Sequence, residues 1–194
     1  MVSHDITERK RTENEVRKNN KKITESINYA KRIQTAILPD TAIINKVFPD
    51  SFVLYKPRDV VSGDFPWFIQ KNDDIYIAAV DSTGHGVPGA LISLIGYFIL
   101  NDVINSEEEL DVGNILDKLN SGVTKTLRQD DVDATTRDGM DIALVRVNYK
   151  KKFYEYAGAN RPLYISKEGE LIQVKGDKFP IGGGKYRTRT NITT

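Results

Sequence analysis

The sequence predicts an α+β fold with antiparallel sheet, entered through a long N-terminal helix. Three observations carry that prediction. A highly charged stretch runs from about Asp5 to Leu38 without glycine or proline until Pro39 stops it. Strand-like runs then fall in two groups, before and after a pair of helical segments, and do not alternate with helices. Consecutive strand-like runs are joined by turn residues.

In the first helix Val16, Asn20, Ile23, Ile27, Ala30, Gln34 and Ile37 follow the alternating spacing of a heptad seam. Three heptads at the helical rise give a seam of roughly 30 Å. Asn20 and Gln34 would weaken such a seam while fixing its register. A parallel homodimer through this helix is therefore one expectation. The competing expectation is a single amphipathic helix that packs on its own domain.

From Ser51 onward the composition shifts toward strand, with Phe52–Tyr55, Phe65–Ile69 and Ile75–Val80 as candidates. Asn72, Asp73 and Asp74 supply the turn between the last two. A glycine-rich loop, Gly84 to Gly86, precedes a helix that carries Pro88 in its first turn and runs to about Ile104. The acidic stretch Glu107 to Glu109 reads as a solvated loop. A second helix, capped by Asp111, extends toward Arg128. After a polar loop come four alternating strands: Ile142–Val147, Phe153–Ala157, Leu163–Ile165 and Leu171–Val174. Turns at Tyr149-Lys150-Lys151 and Lys167-Glu168-Gly169 join them in pairs.

Composition narrows the chemistry. The 194 residues suffice for one ordinary domain with an appendage, and 39% are hydrophobic. Lysines and arginines number 28 against 27 aspartates and glutamates, for a net charge of +1. That balance gives no electrostatic case for a nucleic acid or a membrane as partner. Without cysteine there are no disulfides and no thiolate metal sites, and His4 and His85 are too few for an ordinary zinc centre. Any metal would sit on oxygen ligands, as magnesium or manganese do. No signal peptide is visible, and the apolar run from Leu91 to Leu100 reads as too short to span a bilayer. The chain is expected to be soluble and cytoplasmic.

Two aspartates stand out by placement. Asp64 follows Gly63 at the start of one strand, and Asp81 ends the next, before Ser82-Thr83-Gly84-His85-Gly86. A hairpin about residues 72 to 74 would bring both to one open end of the sheet. Two bare carboxylates about 4 Å apart repel by several kcal/mol at an effective dielectric of roughly 20, and a hard cation reverses that sign. The competing reading is that Asp81 caps the helix that follows. Gly84-His85-Gly86-Val87-Pro88-Gly89 also satisfies the spacing of a dinucleotide loop. Asp81 argues against that reading, because it would place a carboxylate where a pyrophosphate needs positive potential. The downstream acidic cluster also lies between helices and not at the end of a parallel strand.

Longer strings give a specific resemblance. Tyr55-Lys56-Pro57-Arg58-Asp59-Val60-Val61-Ser62-Gly63-Asp64-Phe65, then Ala79-Val80-Asp81-Ser82-Thr83-Gly84-His85-Gly86-Val87-Pro88-Gly89-Ala90, resemble the first two motifs of SpoIIE-like phosphatases. These are the bacterial branch of the PPM metal-dependent serine/threonine phosphatases. Asp138-Gly139-Met140-Asp141-Ile142-Ala143-Leu144 and Ala157-Gly158-Ala159-Asn160-Arg161-Pro162-Leu163 resemble mid-domain strands of the same family. The resemblance covers about Gln34 to the C-terminus. Upstream, Asp5-Ile6-Thr7-Glu8-Arg9-Lys10 resembles the exit of a PAS sensor domain.

The resemblance implies a fold, an activity and a site. The fold is a PPM-like antiparallel β-sandwich flanked by helices, with residues 1–38 as a signalling helix and 39–194 as the phosphatase domain. The activity is hydrolysis of phosphoserine or phosphothreonine by water activated at a centre of two Mn2+ or Mg2+ ions. Family substrates are commonly small phosphorylated anti-sigma-antagonist proteins, here under control of an upstream sensor. Asp64 and Asp81 match acidic metal ligands, with the Ser82 carbonyl as a further one. Arg58 matches a phosphate clamp, against the plainer reading of a surface arginine before a turn. Asp138 is an accessory-metal candidate or a turn residue, and Asp141 a secondary candidate or a group held by backbone amides. His85 reads as a loop-shaping donor.

Two departures from the family pattern matter. Pro66 stands where an aromatic is usual, and proline suits an edge strand or a bulge. The family's later metal aspartates are not found before Thr194. The domain therefore reads as lacking its C-terminal strands, the two-metal centre as incomplete, and the chain as weakly active or inactive. The rival to an enzyme is a non-catalytic dimeric signalling module that binds a partner.

Overall fold

The computed structural model describes residues 6–39, 42–106, 111–183, 189–190 and 192–193. The chain opens with α1 (Thr7–Ile37), and a short α2 (Ala42–Val47) follows. An extended segment leads to the hairpin β1 (Phe65–Lys71) and β2 (Asp74–Ser82). Two helices, α3 (Gly86–Ser106) and α4 (Val112–Thr126), precede β3 (Gly139–Asn148) and β4 (Phe153–Ala159). A second hairpin, β5 (Leu163–Lys167) and β6 (Glu170–Val174), and two short strands, β7 (Ile181–Gly182) and β8 (Ile192–Thr193), complete the order.

The main sheet runs β1-β2-β3-β4-β8, with β7 on the end of β3, and all of these pairings are antiparallel. The β5–β6 hairpin forms a separate two-stranded sheet. This is the expected α+β architecture. Period-two alternation builds it: Met140, Ile142 and Leu144 on β3, Ala78 and Val80 on β2, and Phe65 and Trp67 on β1 all turn to one face. There they meet Ile92, Leu100 and Val103 of α3 and Ile115, Leu116, Leu119 and Val123 of α4 in a single core. Asp111 caps α4 as expected, its Oδ1 accepting from the Asn114 amide at 2.8 Å.

Turn chemistry falls where the residues suggested. Asn72 adopts a left-handed backbone between β1 and β2, and Glu168 and Gly169 do so between β5 and β6. Pro66 lies on β1, an edge strand, where its missing amide costs no ladder bond.

Several expectations need correction. Phe52–Tyr55 is not a strand: it is extended chain without sheet partners, and Phe52 and Leu54 are each 86% exposed. Of its four apolar residues only Val53 is half-buried, while Phe52 and Leu54 stand out at the rim of a groove bordered by Ile44, Phe48, Pro66 and Ile77. The heptad seam is divided. Val16 and Ile23 are exposed, whereas Ile27, Ala30 and Ile37 are half-buried and Gln34 is buried against the chain's own domain. The lower half of the seam is thus an intrachain interface, and Gln34 does not serve as a register-setting residue between two helices. The apolar run belongs to a 21-residue helix, α3, which by length and composition alone would reach across a membrane. Its residues Ile92, Leu100, Val103 and Ile104 are instead buried in the core against the sheet, while Leu91 and Phe98 stay exposed. Asp5, His4 and Glu107 to Glu109 lie outside the described residues.

Candidate active site

Asp64 and Asp81 meet at the open end of the β1–β2 hairpin. Phe65 pairs with Val80, so Asp64 stands one residue beyond the ladder, level with Asp81. Alternation turns Asp81 away from the core face that holds Val80 and Ser82. On the next strand Asp141 is the register partner of Asp81 and also points away from the core. Three carboxylates therefore sit at one end of three adjacent strands.

The backbone beneath them is tightly nested. A side chain at Gly63 would stand 3.1 Å from the Gly84 carbonyl oxygen and 3.2 Å from that of Ser82, and one at Gly89 only 2.7 Å from Gly84 O. Only glycine lets the Asp64 loop lie against the 82–84 turn. The Ser82 carbonyl is thus near the backbone that carries Asp64. The Tyr55 hydroxyl donates to the Asp64 carbonyl at 3.0 Å, and the Asp64 amide donates to Ser62 Oγ at 3.0 Å.

The electrostatics follow from the crowding. Burial, then a hydrogen bond to Asp81 and that group's negative charge, push the Asp64 carboxyl up to about 6, with Arg161 pulling the other way. A hydrogen bond between two carboxyls requires a proton held between them, and a divalent cation answers the same repulsion. The donor set of two carboxylates and a nearby carbonyl is all hard oxygen, so these residues fit Mn2+ or Mg2+. Among the described residues, however, no group of three or more acidic, histidine or cysteine side chains is gathered closely enough to hold an ion.

Arg161 reaches the same end of the sheet. Asn160 adopts a left-handed backbone after β4 and is pinned by its amide to Asp177 O at 2.7 Å. The chain then turns so that the Arg161 guanidinium bonds Asp81 and stands 3.6 Å from Asp141. The Tyr156 hydroxyl donates to the Arg161 carbonyl, and Asn160 Nδ2 donates to Asp141 Oδ1 at 2.9 Å. Asp141 is therefore held by side chains of the β4–β5 connection and not by backbone amides. The sequence places Arg161 within a family-like motif and by itself assigns it no role. The available signal was a cation beside an asparagine, a residue type that tolerates the left-handed turn.

The other candidates disperse. Asp138 accepts from Thr83 Oγ1 at 3.0 Å, and Thr83 in turn is bonded to the Gly139 backbone, so Asp138 secures the turn after Asp81. Arg58 is exposed on the loop before Asp64 and is not brought into contact with the carboxylates. Its neighbour Asp59 bonds His85 Nδ1 at 3.0 Å, joining that loop to Gly84–Gly86, so His85 shapes a loop.

An antiparallel sheet backed by two helices, with Asp64 and Asp81 at its open end, is thus the frame that the comparisons with known proteins match to phosphatase domains. Residues 71–191 match the family model of the stage II sporulation protein E, SpoIIE. Among solved structures, the SiaA-PP2C domain of Pseudomonas aeruginosa superposes with a TM-score of 0.78 at 35% identity, over 91% of this chain and 68% of that one. RsbX, solved in complex with magnesium, gives 0.54 at 16% identity over 74% of this chain and 65% of that chain. The PP2C phosphatase domain of SpoIIE from Bacillus subtilis, solved with a fragment of its regulatory domain, gives 0.56 at 17% over 69% and 38%. No curated protein matches the chain. The chain belongs to the SpoIIE family of PP2C-type serine/threonine phosphatases.

Proposed function

We propose that this domain hydrolyses phosphoserine or phosphothreonine on a small regulatory protein of the anti-sigma-antagonist type, under control of a sensor upstream of α1. The observation that carries the reading is the meeting of Asp64 and Asp81 at an open sheet end, in a chain of this family. Mn2+ or Mg2+ on Asp64, Asp81 and the Ser82 carbonyl would supply Lewis acidity toward the phosphoryl group and an acidified water. The chain's own residues set the charge and position for that chemistry. Asp64 and Asp81 provide the negative pole, and Gly63 and Gly89 let their loops nest. Arg58 supplies a guanidinium for two phosphate oxygens, from a loop that the Asp59–His85 contact holds beside the site. Asp138 and Asp141 are weaker ligand candidates, since Thr83, Asn160 and Arg161 already engage them.

Residues 1–38 form the signalling element and 39–194 the phosphatase domain in this reading. The exposed upper half of α1, with Val16 and Ile23, is the part that would join two copies. Ile23→Asp should turn a dimer into a monomer in sedimentation, and a parent that is already monomeric would refute the dimer.

One observation favours a second reading, a non-catalytic signalling module. Arg161 already neutralises Asp81, as it would in a site that no longer holds cations. Hydrolysis of a phosphoserine peptide with and without manganese separates the two. Manganese-dependent turnover that Asp64→Asn abolishes supports the enzyme. Absence of turnover at any manganese concentration supports the module.

A further inference from the structure

We propose that Gln34 of α1 is a positioning residue for Asp64, acting through Ser62. The proposal rests on the reading of Asp64 as a metal ligand for its functional consequence, though not for its geometry.

Gln34 is 6% exposed, a buried amide on a helix whose upper half is open to solvent. Its Nε2 donates to the Ser62 carbonyl at 2.7 Å, and its Oε1 accepts from the Ser62 amide at 3.1 Å. One side chain thus pairs with both backbone groups of one residue, as a neighbouring strand would. Ser62 needs such a partner, because it lies in extended chain ahead of β1, where no ladder reaches it. The second Nε2 hydrogen goes to Ser93 Oγ at 3.0 Å, and Ser93, fully buried on α3, donates to Ala90 O at 2.8 Å. The link then continues from Ser62 Oγ to the Asp64 amide at 3.0 Å. A continuous set of hydrogen bonds therefore runs from α1 to the backbone of Asp64, with α3 as its anchor. Gly63 lies between, pressed on the Ser82 and Gly84 carbonyls, so a shift of Ser62 passes directly to the carboxylate pair.

Charge neutrality matters here. A carboxylate in place of the amide would face the Ser62 carbonyl without a donor, and an apolar side chain would leave both Ser62 backbone groups unpaired.

The test uses the full chain with two readouts. In metal-free protein, amide hydrogen exchange at residues 62–64 should accelerate at least tenfold in Gln34→Met, with the exchange of β3 unchanged. Manganese affinity, from calorimetric titration, should fall about tenfold in Gln34→Met and in Ser62→Ala. The double variant should lose little more than the weaker-binding single one, because both act on the same connection. Ser93→Ala, which keeps both bonds to Ser62, serves as the milder variant should Gln34→Met fold poorly, and should give a smaller change in the same direction. Unchanged exchange at 62–64 in folded Gln34→Met would overturn the proposal, as would additive losses in the double variant. Equal manganese binding by the parent and Asp64→Asn would overturn the ligand reading alone, and exchange at 62–64 would then decide the role of Gln34.

Discussion

The two ends of the β2–β3 pair carry opposite kinds of charge arrangement. At the closed end Asp74 faces Asn148 and Tyr76 faces Arg146, while Arg146 faces Glu155 across β4. Arg146 bonds Asp74 at 2.5 Å and Glu155 at 3.4 Å and lies over the rings of Tyr76 and Phe153. Asn148 gives Asp74 a second bond. Burial alone would raise the Asp74 carboxyl, but bonds from Arg146 and Asn148 and the charges of Arg146 and Lys151 hold it below the usual range. At the open end Asp81 faces Asp141, a like-charged pair that destabilises a ladder, and Asp64 is pushed upward. The same two strands thus pair opposite charges at one end and like charges at the other. A like-charged pairing of that kind is the expected mark of a functional site.

Removing charge should therefore do opposite things at the two ends. Asp81→Asn should reduce manganese-dependent phosphopeptide hydrolysis to the assay floor, while the unfolding midpoint moves little, because a repulsive neighbour of Asp64 and Asp141 disappears along with the bond to Arg161. A variant that turns over like the parent would remove Asp81 from the site. Arg146→Met should instead leave Asp74 and Glu155 without their guanidinium partner in a mostly buried setting and cost about 3–5 kcal/mol. Urea unfolding measures it, and a loss under about 1 kcal/mol would mean that the network is mostly hydrated.

The closed end also predicts a pH dependence. Because the folded value of Asp74 is depressed, its contribution is complete above the unfolded value of about 3.9 and is lost as pH falls toward the folded one. The stability gap between the parent and Asp74→Asn should thus be wide at neutral pH and narrow below about pH 4. A gap that widens in acid would reverse the assignment.

The closed end and the core were legible in the sequence, and the open end only in outline. Short apolar, strand-like runs over 142–147 and 75–80 and the Asn72 turn fix the strands and their hairpin through local residue chemistry. Asp64 and Asp81 followed from that hairpin. Arg161 did not, because its reach to Asp81 spans 80 residues and depends on the left-handed turn at Asn160. Gln34 misled for a related reason: a heptad position states which side of a helix is covered, not what covers it. The segment 52–55 failed because an apolar run of four residues is too short to distinguish a paired strand from an exposed extended chain.

The smallest expected effect lies beside the largest stabilising network. Lys150 and Asp73, in the turns at the closed end, approach to 2.8 Å, close to the separation of Arg146 and Asp74. Distance alone would rank the two pairs as near equals. Their environments differ, since the Lys150 and Asp73 side chains are 75% and 50% exposed against 10% and 17% for Arg146 and Asp74. In water the two free groups are already well solvated, and holding a lysine side chain in one geometry offsets most of the Coulomb gain. Asp73→Ala should therefore change stability by no more than about 0.5 kcal/mol and become neutral in high salt, whereas the cost of Arg146→Met should be nearly independent of salt. Equal, salt-sensitive losses in both variants would show that proximity and not burial sets the strength of the closed end.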